Sequence, residues 1–107
     1  MEGPERDYAS QATPSVLEFL RVNVTSDRVL SHIERCFELI ADFPSIGKAY
    51  EPSYAAARPP FSCRQFAVPD TPFTVYYVKD DERRLVTFFC VDFQRADPTL
   101  RFSADPW

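Results

Sequence analysis

The fold is decided by residues 73–93, which read FTVYYVKDDERRLVTFFCVDF. Two runs rich in β-branched and aromatic residues, 73–79 and 84–93, flank a short charged segment. Runs of this composition predict strands, and a link this short requires the two strands to pair antiparallel. A third run, over 62–68, is separated from them by Pro69-Asp70-Thr71-Pro72, a typical turn sequence. Residues 62–93 therefore predict a three-stranded antiparallel meander.

Two amphipathic helices are predicted ahead of this meander. Thr13 and Pro14 are typical of a helix start, and the first helix fades near Asn23. Ser26 or Asp27 caps a second helix, which Pro44 ends. Its apolar residues recur at i, i+3 and i+4, namely Val29, Leu30, Ile33, Cys36, Phe37 and Ile40. The short link between the helices predicts an antiparallel helical hairpin.

The predicted fold class is α+β, with the helical hairpin packed on one face of a small antiparallel sheet. Residues Arg6 to Ala9 carry a weak strand signal and add a short N-terminal edge strand to this scheme. We expect one domain over residues 1–107, with a polar N-terminal segment at 1–12 and a C-terminal tail at 99–107.

Both faces of the last strand are apolar. Strict alternation groups Leu85, Thr87, Phe89, Val91 and Phe93 on one face, and Arg84, Val86, Phe88, Cys90 and Asp92 on the other. Two helices cover one face of a sheet, so the second face needs another cover. The C-terminal tail, with Leu100, Phe102 and Trp107, is one candidate, and a second protein is the other.

The composition of the chain argues against three classes of function, namely nucleic-acid binding, zinc binding and insertion in a membrane. The net charge of −4 comes entirely from residues 1–57, which weighs against a nucleic-acid binder that relies on phosphate contacts. Three cysteines without close spacing and one histidine predict no zinc site, and no cofactor is expected. The longest apolar run falls well short of the ~20 residues of a membrane span, and the N-terminus lacks a secretion signal. We therefore expect a cytoplasmic protein without a membrane contact.

Two stretches together resemble the RelE/ParE toxin superfamily, the toxins of type II toxin–antitoxin pairs. HIERCFELIADFPSIGKAYE, residues 32–51, is similar to the second helix of that family and its Pro-x-x-Gly exit. RQFAVPDTPFTVYYVKDDERRLVTFFCVDFQRADP, residues 64–98, is similar to its meander, with a basic residue and Asp-Pro after the last strand. The resemblance covers about residues 27–98. It implies a strand, a helical hairpin and a meander, and a plasmid-stabilisation-like toxin.

The resemblance also suggests which residues matter. Arg64 matches a basic position on the first meander strand, and Tyr77 matches an aromatic packing position before the hairpin. At the end of the last strand only Arg95 remains of a basic group, since Phe93 stands where a histidine is common and Ala96 where an arginine is common. Arg64 and Arg95 are therefore the catalytic candidates. The expected partner-binding residues are Arg64, Val86, Phe88, Asp92 and Arg95.

Three functions are compatible with these residues. RNA cleavage requires a base and an acid, and the matching positions show neither a histidine nor a tyrosine. We therefore expect a ParE-like protein that binds and inhibits a target such as DNA gyrase without being an enzyme. The alternatives are a ribosome-dependent mRNA endonuclease of RelE type, or a non-toxic interaction module that has lost the activity. The expected partner is a cognate antitoxin, with a homodimer or a toxin–antitoxin hetero-oligomer as the assembly.

Two further arginines need no functional explanation. Arg83 and Arg84 directly follow Asp80, Asp81 and Glu82, so charge pairing at the hairpin turn explains them.

Arg95 also has a nearby acidic residue, Asp97, with which it could form a local ion pair at the end of the strand.

Overall fold

The computed structural model of the chain describes residues 8–51, 59 and 61–96. Within these residues two helices pack with a five-stranded mixed sheet, so the α+β class is confirmed. The elements are β1 (Ala9–Ala12), α1 (Pro14–Asn23), α2 (Asp27–Asp42), β2 (Lys48–Ala49), β3 (Arg64–Ala67), β4 (Phe73–Asp80) and β5 (Leu85–Phe93). The strand order across the sheet is β1-β5-β4-β3-β2.

The predicted meander is confirmed. β3 pairs antiparallel with β4, with Arg64 opposite Tyr77, and β4 pairs antiparallel with β5, with Phe73 opposite Phe93. Because β4 begins where β5 ends, the β3–β4 turn and the segment after β5 lie at the same end of the sheet. This arrangement positions the candidate site described below.

Two strand predictions need correction. The N-terminal strand lies at Ala9–Ala12, later than the predicted Arg6 to Ala9, of which residues 1–7 lie outside the described residues. It pairs parallel with β5, so the sheet is mixed and not purely antiparallel. β1 can lie parallel to β5 because the helices and the rest of the sheet separate them in sequence. The two-residue strand β2 was not predicted, since it is too short to show an alternating pattern.

The two helices begin and end close to the predicted residues. Ser26 caps α2 through its hydroxyl oxygen, which accepts a hydrogen bond from the backbone N–H of Val29 at 3.4 Å. The Thr13 side chain instead contacts the Ser15 hydroxyl, while its backbone N–H donates to the Phe88 carbonyl oxygen at 3.0 Å. That bond ties the start of α1 to β5. Neither helix among the described residues has the combined length and apolarity of a membrane span.

A β-bulge in β5 overturns the predicted alternation. Tyr76 pairs with Cys90 while Tyr77 pairs with Phe88, so Phe89 is an extra residue in the strand. The extra residue shifts the alternation, and Val91 joins the helix-covered core that contains Val86 and Phe88. Phe89 turns to the opposite face, which we call the second face of the sheet.

On the second face, the largest side chains are buried by other residues of the same chain. Tyr76 and Phe89 are 2% and 1% exposed, and Cys63 is buried with them. The Phe61 ring stands edge-on to Phe89 at 4.9 Å between centroids, and Tyr50 stands edge-on to Tyr76 at 5.3 Å. Of the two expected covers, a second protein is therefore not needed at these positions. The C-terminal tail, the other expected cover, lies outside the described residues.

Candidate protein-binding surface

The structure separates the five predicted partner-binding residues. Val86 and Phe88 are 0% and 2% exposed in the core, where the Phe37 ring of α2 stacks on Phe88 at 4.2 Å between centroids. No partner reaches them in this fold, so their assignment to a binding surface needs correction. The sequence suggested a surface because it did not show which face the helices cover. Arg64, Asp92 and Arg95 lie in three different environments.

Arg64 binds the loop between α2 and β2. Its guanidinium donates to the Gly47 carbonyl oxygen, at 3.1 Å from Nε and 2.7 Å from one terminal nitrogen. The same terminal nitrogen lies 3.1 Å from the Ser45 carbonyl oxygen. In this structure the side chain holds the backbone of the loop.

Tyr77 holds the same loop from inside the core. Its hydroxyl donates to the Pro44 carbonyl oxygen at 2.7 Å and accepts from the Gly47 N–H at 3.0 Å. The side chain is fully buried, and this burial raises the pKa of the phenol, against the smaller lowering effects of the Gly47 hydrogen bond and Arg64. Arg64 and Tyr77 thus form a loop clamp, a name we keep for these two side chains and their bonds to residues 44–47.

Gly47 is required in this clamp because of space and not because of its backbone dihedral angle. A Cβ atom at this position would lie 2.6 Å from the Tyr77 hydroxyl oxygen and 2.7 Å from the Gln65 carbonyl oxygen. Both distances are far shorter than a carbon–oxygen contact allows. The close approach of the loop to β3 and β4 therefore depends on the missing side chain.

Asp92 lies near the end of β5, opposite Thr74 of β4. Its carboxylate accepts a hydrogen bond from the backbone N–H of Phe93 at 2.8 Å. Phe93 packs against Phe73 and Phe19 on the helix-covered side. Because neighbouring residues of a strand point to opposite faces, Asp92 points to the second face.

Arg95 borders an open groove of about 530 Å³ at the end of the sheet. We call it the Arg95 groove; its described lining residues are Asp70, Thr71, Pro72, Phe93, Gln94 and Arg95. Asp70 has a positive φ of 60°, a left-handed conformation that aspartate tolerates in turns.

Gln94 joins the two chain segments that form this groove. Its backbone N–H donates to the Pro72 carbonyl oxygen at 2.7 Å. Its side-chain amide nitrogen donates to the carbonyl oxygens of Thr71, at 3.2 Å, and Phe73, at 3.0 Å. These three bonds fix the segment after β5 against the β3–β4 turn, so the groove has a defined backbone wall.

Phe93, the aromatic residue in the described lining of the groove, belongs to a cluster of three rings. Phe93 is 40% exposed although it packs against Phe73, at 4.9 Å between ring centroids, and against Phe19 of α1, at 5.7 Å. Phe19 and Phe73 also meet edge-on at 5.9 Å. The partly exposed ring of Phe93 therefore packs against two neighbouring rings.

The exposed guanidinium of Arg95 makes no hydrogen bond or ion pair with the described part of the chain. The predicted ion pair with Asp97 lies outside the described residues. No described residue lining the groove is a histidine or a tyrosine. The described residues also contain no group of three metal-binding side chains. The groove thus offers a cation, an exposed ring and one carboxylate, which suits binding better than proton transfer.

The arginines of the β4–β5 turn have nearby partners. The Arg83 Nε lies 3.8 Å from an Asp80 carboxylate oxygen, and its backbone N–H donates to the other oxygen at 3.1 Å. The Arg84 guanidinium lies over the Tyr8 ring, 5.9 Å from its centroid. The predicted charge pairing at the turn is confirmed for Arg83, and Arg84, besides its contact with the Tyr8 ring, interacts electrostatically with the Asp81 carboxylate.

Sequence reasoning missed Asp70, Thr71 and Pro72 as site residues. A usable signal was present, since an antiparallel meander places the start of β4 beside the end of β5. The polar turn before Phe73 and the polar segment after Phe93 therefore had to meet.

No protein-family model matches this sequence, and a comparison with curated proteins gives no match.

Proposed function

We propose that this chain is a ParE-like toxin of the RelE/ParE type, which inhibits a target protein by binding it through the Arg95 groove. DNA gyrase is the first target to test, because the resemblance in the sequence favours the ParE branch. In this proposal the protein is not an enzyme, and a cognate antitoxin neutralises it by covering the same groove.

The order of the elements supports the proposal. The resemblance implies a first strand, a helical hairpin and a meander, and β1, α1, α2 and β3–β5 follow in that order. We propose that α1 and α2 form the antiparallel hairpin of this fold.

The Arg95 groove is the observation that carries the proposed binding function. Aromatic and arginine side chains contribute most to binding where an interface excludes water. Here a partly exposed Phe93, packed against two other rings, lies beside Arg95, whose guanidinium makes no ion pair with the described residues. Forming a new contact with Arg95 would therefore break none of the described ion pairs.

The placement of the two candidate arginines favours binding over RNA cleavage. Arg64 donates to the backbone of residues 45–47, whereas Arg95 borders a groove at the other end of β3 and β4. They do not line one groove together. Cleavage also needs a proton donor and acceptor near the phosphate, and the described lining of the groove provides only Asp70 as a titratable acid.

The proposal is tested by inducing the chain in bacterial cells and measuring growth, DNA synthesis and protein synthesis over time. We expect growth to stop with DNA synthesis failing first, and purified protein to inhibit supercoiling by purified gyrase. Arg95→Ala should weaken both effects. Arg83→Ala is the matched control, because it removes an exposed arginine from the opposite end of the sheet.

The alternatives give different results in the same experiment. Translation that stops first, with cleaved messages, would support the mRNA endonuclease and contradict binding to gyrase. Normal growth at full expression of folded protein would rule out a toxin and leave the non-toxic interaction module. Arrest that is equally strong in Arg95→Ala would remove the Arg95 groove from the mechanism.

A further inference from the structure

The outward side of α1 carries an exposed row of side chains that we call the α1 ridge, namely Leu17, Glu18, Arg21 and Val22. Leu17 and Val22 are 57% and 56% exposed, more than any other large apolar side chain in the described part of the chain. The opposite side of the helix packs on the core through Val16, Phe19 and Leu20. The α1 ridge therefore points away from the core, and the proposal made for it does not depend on the proposed toxin function.

Two opposite charges lie at the centre of the α1 ridge. Arg21 donates from Nε to one Glu18 carboxylate oxygen at 3.2 Å, and a terminal nitrogen of the same guanidinium bonds the other oxygen. This hydrogen bonding lowers the pKa of the Glu18 carboxyl, so the pair is charged at neutral pH. The Arg21 and Glu18 side chains are still 71% and 59% exposed, which leaves both of them accessible to a second charged partner.

The α1 ridge is complementary to itself about its midpoint. Glu18 and Arg21 lie equally far on either side of that midpoint in the sequence, and so do Leu17 and Val22. Two identical helices that pack antiparallel about a two-fold axis through the midpoint place each residue opposite its counterpart on the other side of the midpoint. Glu18 then lies opposite the partner's Arg21, and Leu17 lies opposite the partner's Val22. Parallel packing would instead place each charge opposite its own copy.

The charges in such an antiparallel pair alternate in sign around the two-fold axis, because each Glu18 carboxylate lies between its own Arg21 and the partner's Arg21. A contact between Leu17 and the partner's Val22 flanks these charges on each side and limits the access of water, which strengthens the attraction. No other charge of α1 opposes this arrangement, since Glu18 and Arg21 are its only charged residues, and residues 8–13 carry none. The next charges along the chain, Asp27 and Arg28, are again one acid and one base.

We propose that the α1 ridge binds a second copy of this chain, so that two copies form a symmetric dimer through antiparallel α1 helices. The ten residues of α1 span about 15 Å, so this contact buries far less than the roughly 1,200 Å² of a stable interface. The dimer is therefore weak and forms at high protein concentration. The α1 ridge contains none of the described residues that line the Arg95 groove, so this proposal and the growth test can fail independently.

Sedimentation velocity of the intact chain, at concentrations from the micromolar to the millimolar range, measures the dissociation constant of the dimer. Glu18→Arg and Arg21→Glu should each raise it at least tenfold, because each places four like charges around the two-fold axis. The double variant that carries both changes should restore the wild-type constant, because it only exchanges the two charges. Glu38→Arg and Arg35→Glu are the matched controls, which reverse exposed charges at the same spacing on α2 and should leave the constant unchanged.

Mixing Glu18→Arg with Arg21→Glu separates pairing between copies from pairing within α1. Each acid of one chain then lies opposite a base of the other, while the bond between positions 18 and 21 within each helix stays broken. We expect the mixture to dimerise at least as strongly as the wild type. Leu17→Ser, which keeps every charge, should also weaken the dimer and tests the contact if a charge reversal prevents folding. A chain that is monomeric at every concentration, a dimer unaffected by these substitutions, or a mixture that stays monomeric would each overturn the proposal.

Discussion

Arg64 lies at the start of β3 and Arg95 two residues beyond the end of β5, and their guanidinium groups have different surroundings. Arg64 makes three hydrogen bonds to loop carbonyl oxygens within the loop clamp. Arg95 is exposed and makes no hydrogen bond or ion pair with the residues that the structure describes. The sequence presents both as basic residues near strand ends, so only the fold distinguishes them.

This difference shows how the surroundings of an arginine give it a role in stabilising the fold. The loop after α2 turns sharply toward the sheet, and its carbonyl oxygens are not used by helix or strand pairing. An arginine on the neighbouring strand satisfies them with its fixed fork of donors. Beyond β5, Gln94 already bonds the nearby carbonyl oxygens of Thr71 and Phe73. We therefore expect substitutions of the loop clamp to change stability, and substitutions of Arg95 to change binding.

The largest effect is expected at the centre of the loop clamp. Tyr77→Phe removes a hydroxyl that bonds both Pro44 and Gly47 and leaves two buried backbone groups unsatisfied. We expect the free energy of unfolding to fall by about 3 kcal/mol, measured by urea denaturation. Tyr8→Phe is the control, because its hydroxyl bonds the exposed Asp81 carboxylate. An equal loss in both variants would contradict a special role for the clamp.

The next largest effect tests the close approach of the loop. Gly47→Ala places a methyl group within 3 Å of the Tyr77 hydroxyl and the Gln65 backbone. We expect a loss of about 2 kcal/mol in the free energy of unfolding, typical of overpacking. Combining Gly47→Ala with Tyr77→Phe should give less than the sum of the two losses, because both disrupt the same contacts. Full additivity would mean that the two residues do not act together.

The sequence predicted much of the fold because its signals are local. The helix bounds follow from the Ser26 cap, the Pro14 start and the apolar spacing of α2, and the meander follows from strand composition. The bulge at Phe89 and the parallel pairing of β1 depend on contacts between distant residues, which composition does not encode. Strict alternation consequently assigned the faces of β5 incorrectly beyond the bulge.

The candidate site was less predictable for the same reason. The family resemblance selected Arg64 and Arg95 by position, but the role of Arg64 depends on the path of residues 44–47, which the sequence showed only as the exit of the second helix. The Arg95 groove is formed by two segments about twenty residues apart in the sequence that Gln94 holds together. Pairing of β4 with β5 was predictable, whereas the side-chain bonds of Gln94 were not.

Replacing Arg64 should give a smaller stability loss than the core changes. Arg64→Met keeps the aliphatic stem and removes the three hydrogen bonds, so we expect a loss of about 1.5 kcal/mol. Arg64→Lys, which can restore one bond, should lose less. If Arg64→Met instead keeps full stability and abolishes growth arrest, the contrast between the two arginines is wrong and Arg64 belongs to the active surface.

The change with pH in the stability that the loop clamp contributes should be smaller than the losses caused by these substitutions. Burial raises the pKa of Tyr77 above its unfolded value, so its contribution is fully present below about pH 10 and is lost as the pH rises further. The stability difference between wild type and Tyr77→Phe should therefore narrow as the pH rises above about 10, which urea denaturation at a series of pH values measures. Burial also raises the pKa of the Cys36 and Cys63 thiols to about 12. Wild type and Tyr77→Phe both contain these cysteines, so their ionisation does not change the stability difference between the two. A constant difference across this range would contradict the buried phenol.

Arg95→Ala should have the smallest effect on stability and, in the proposed function, a clear effect on binding. The guanidinium is exposed and has no described ion pair, so the free energy of unfolding should change by less than about 0.5 kcal/mol. Affinity for the target should fall tenfold or more, a change of about 1.4 kcal/mol in the free energy of binding. Arg83→Ala, measured beside it by the same denaturation and binding assays, should change neither quantity beyond its error. An Arg95 variant that loses stability as Arg64→Met does would show that both arginines are structural, and the contrast between the two ends of the sheet would disappear.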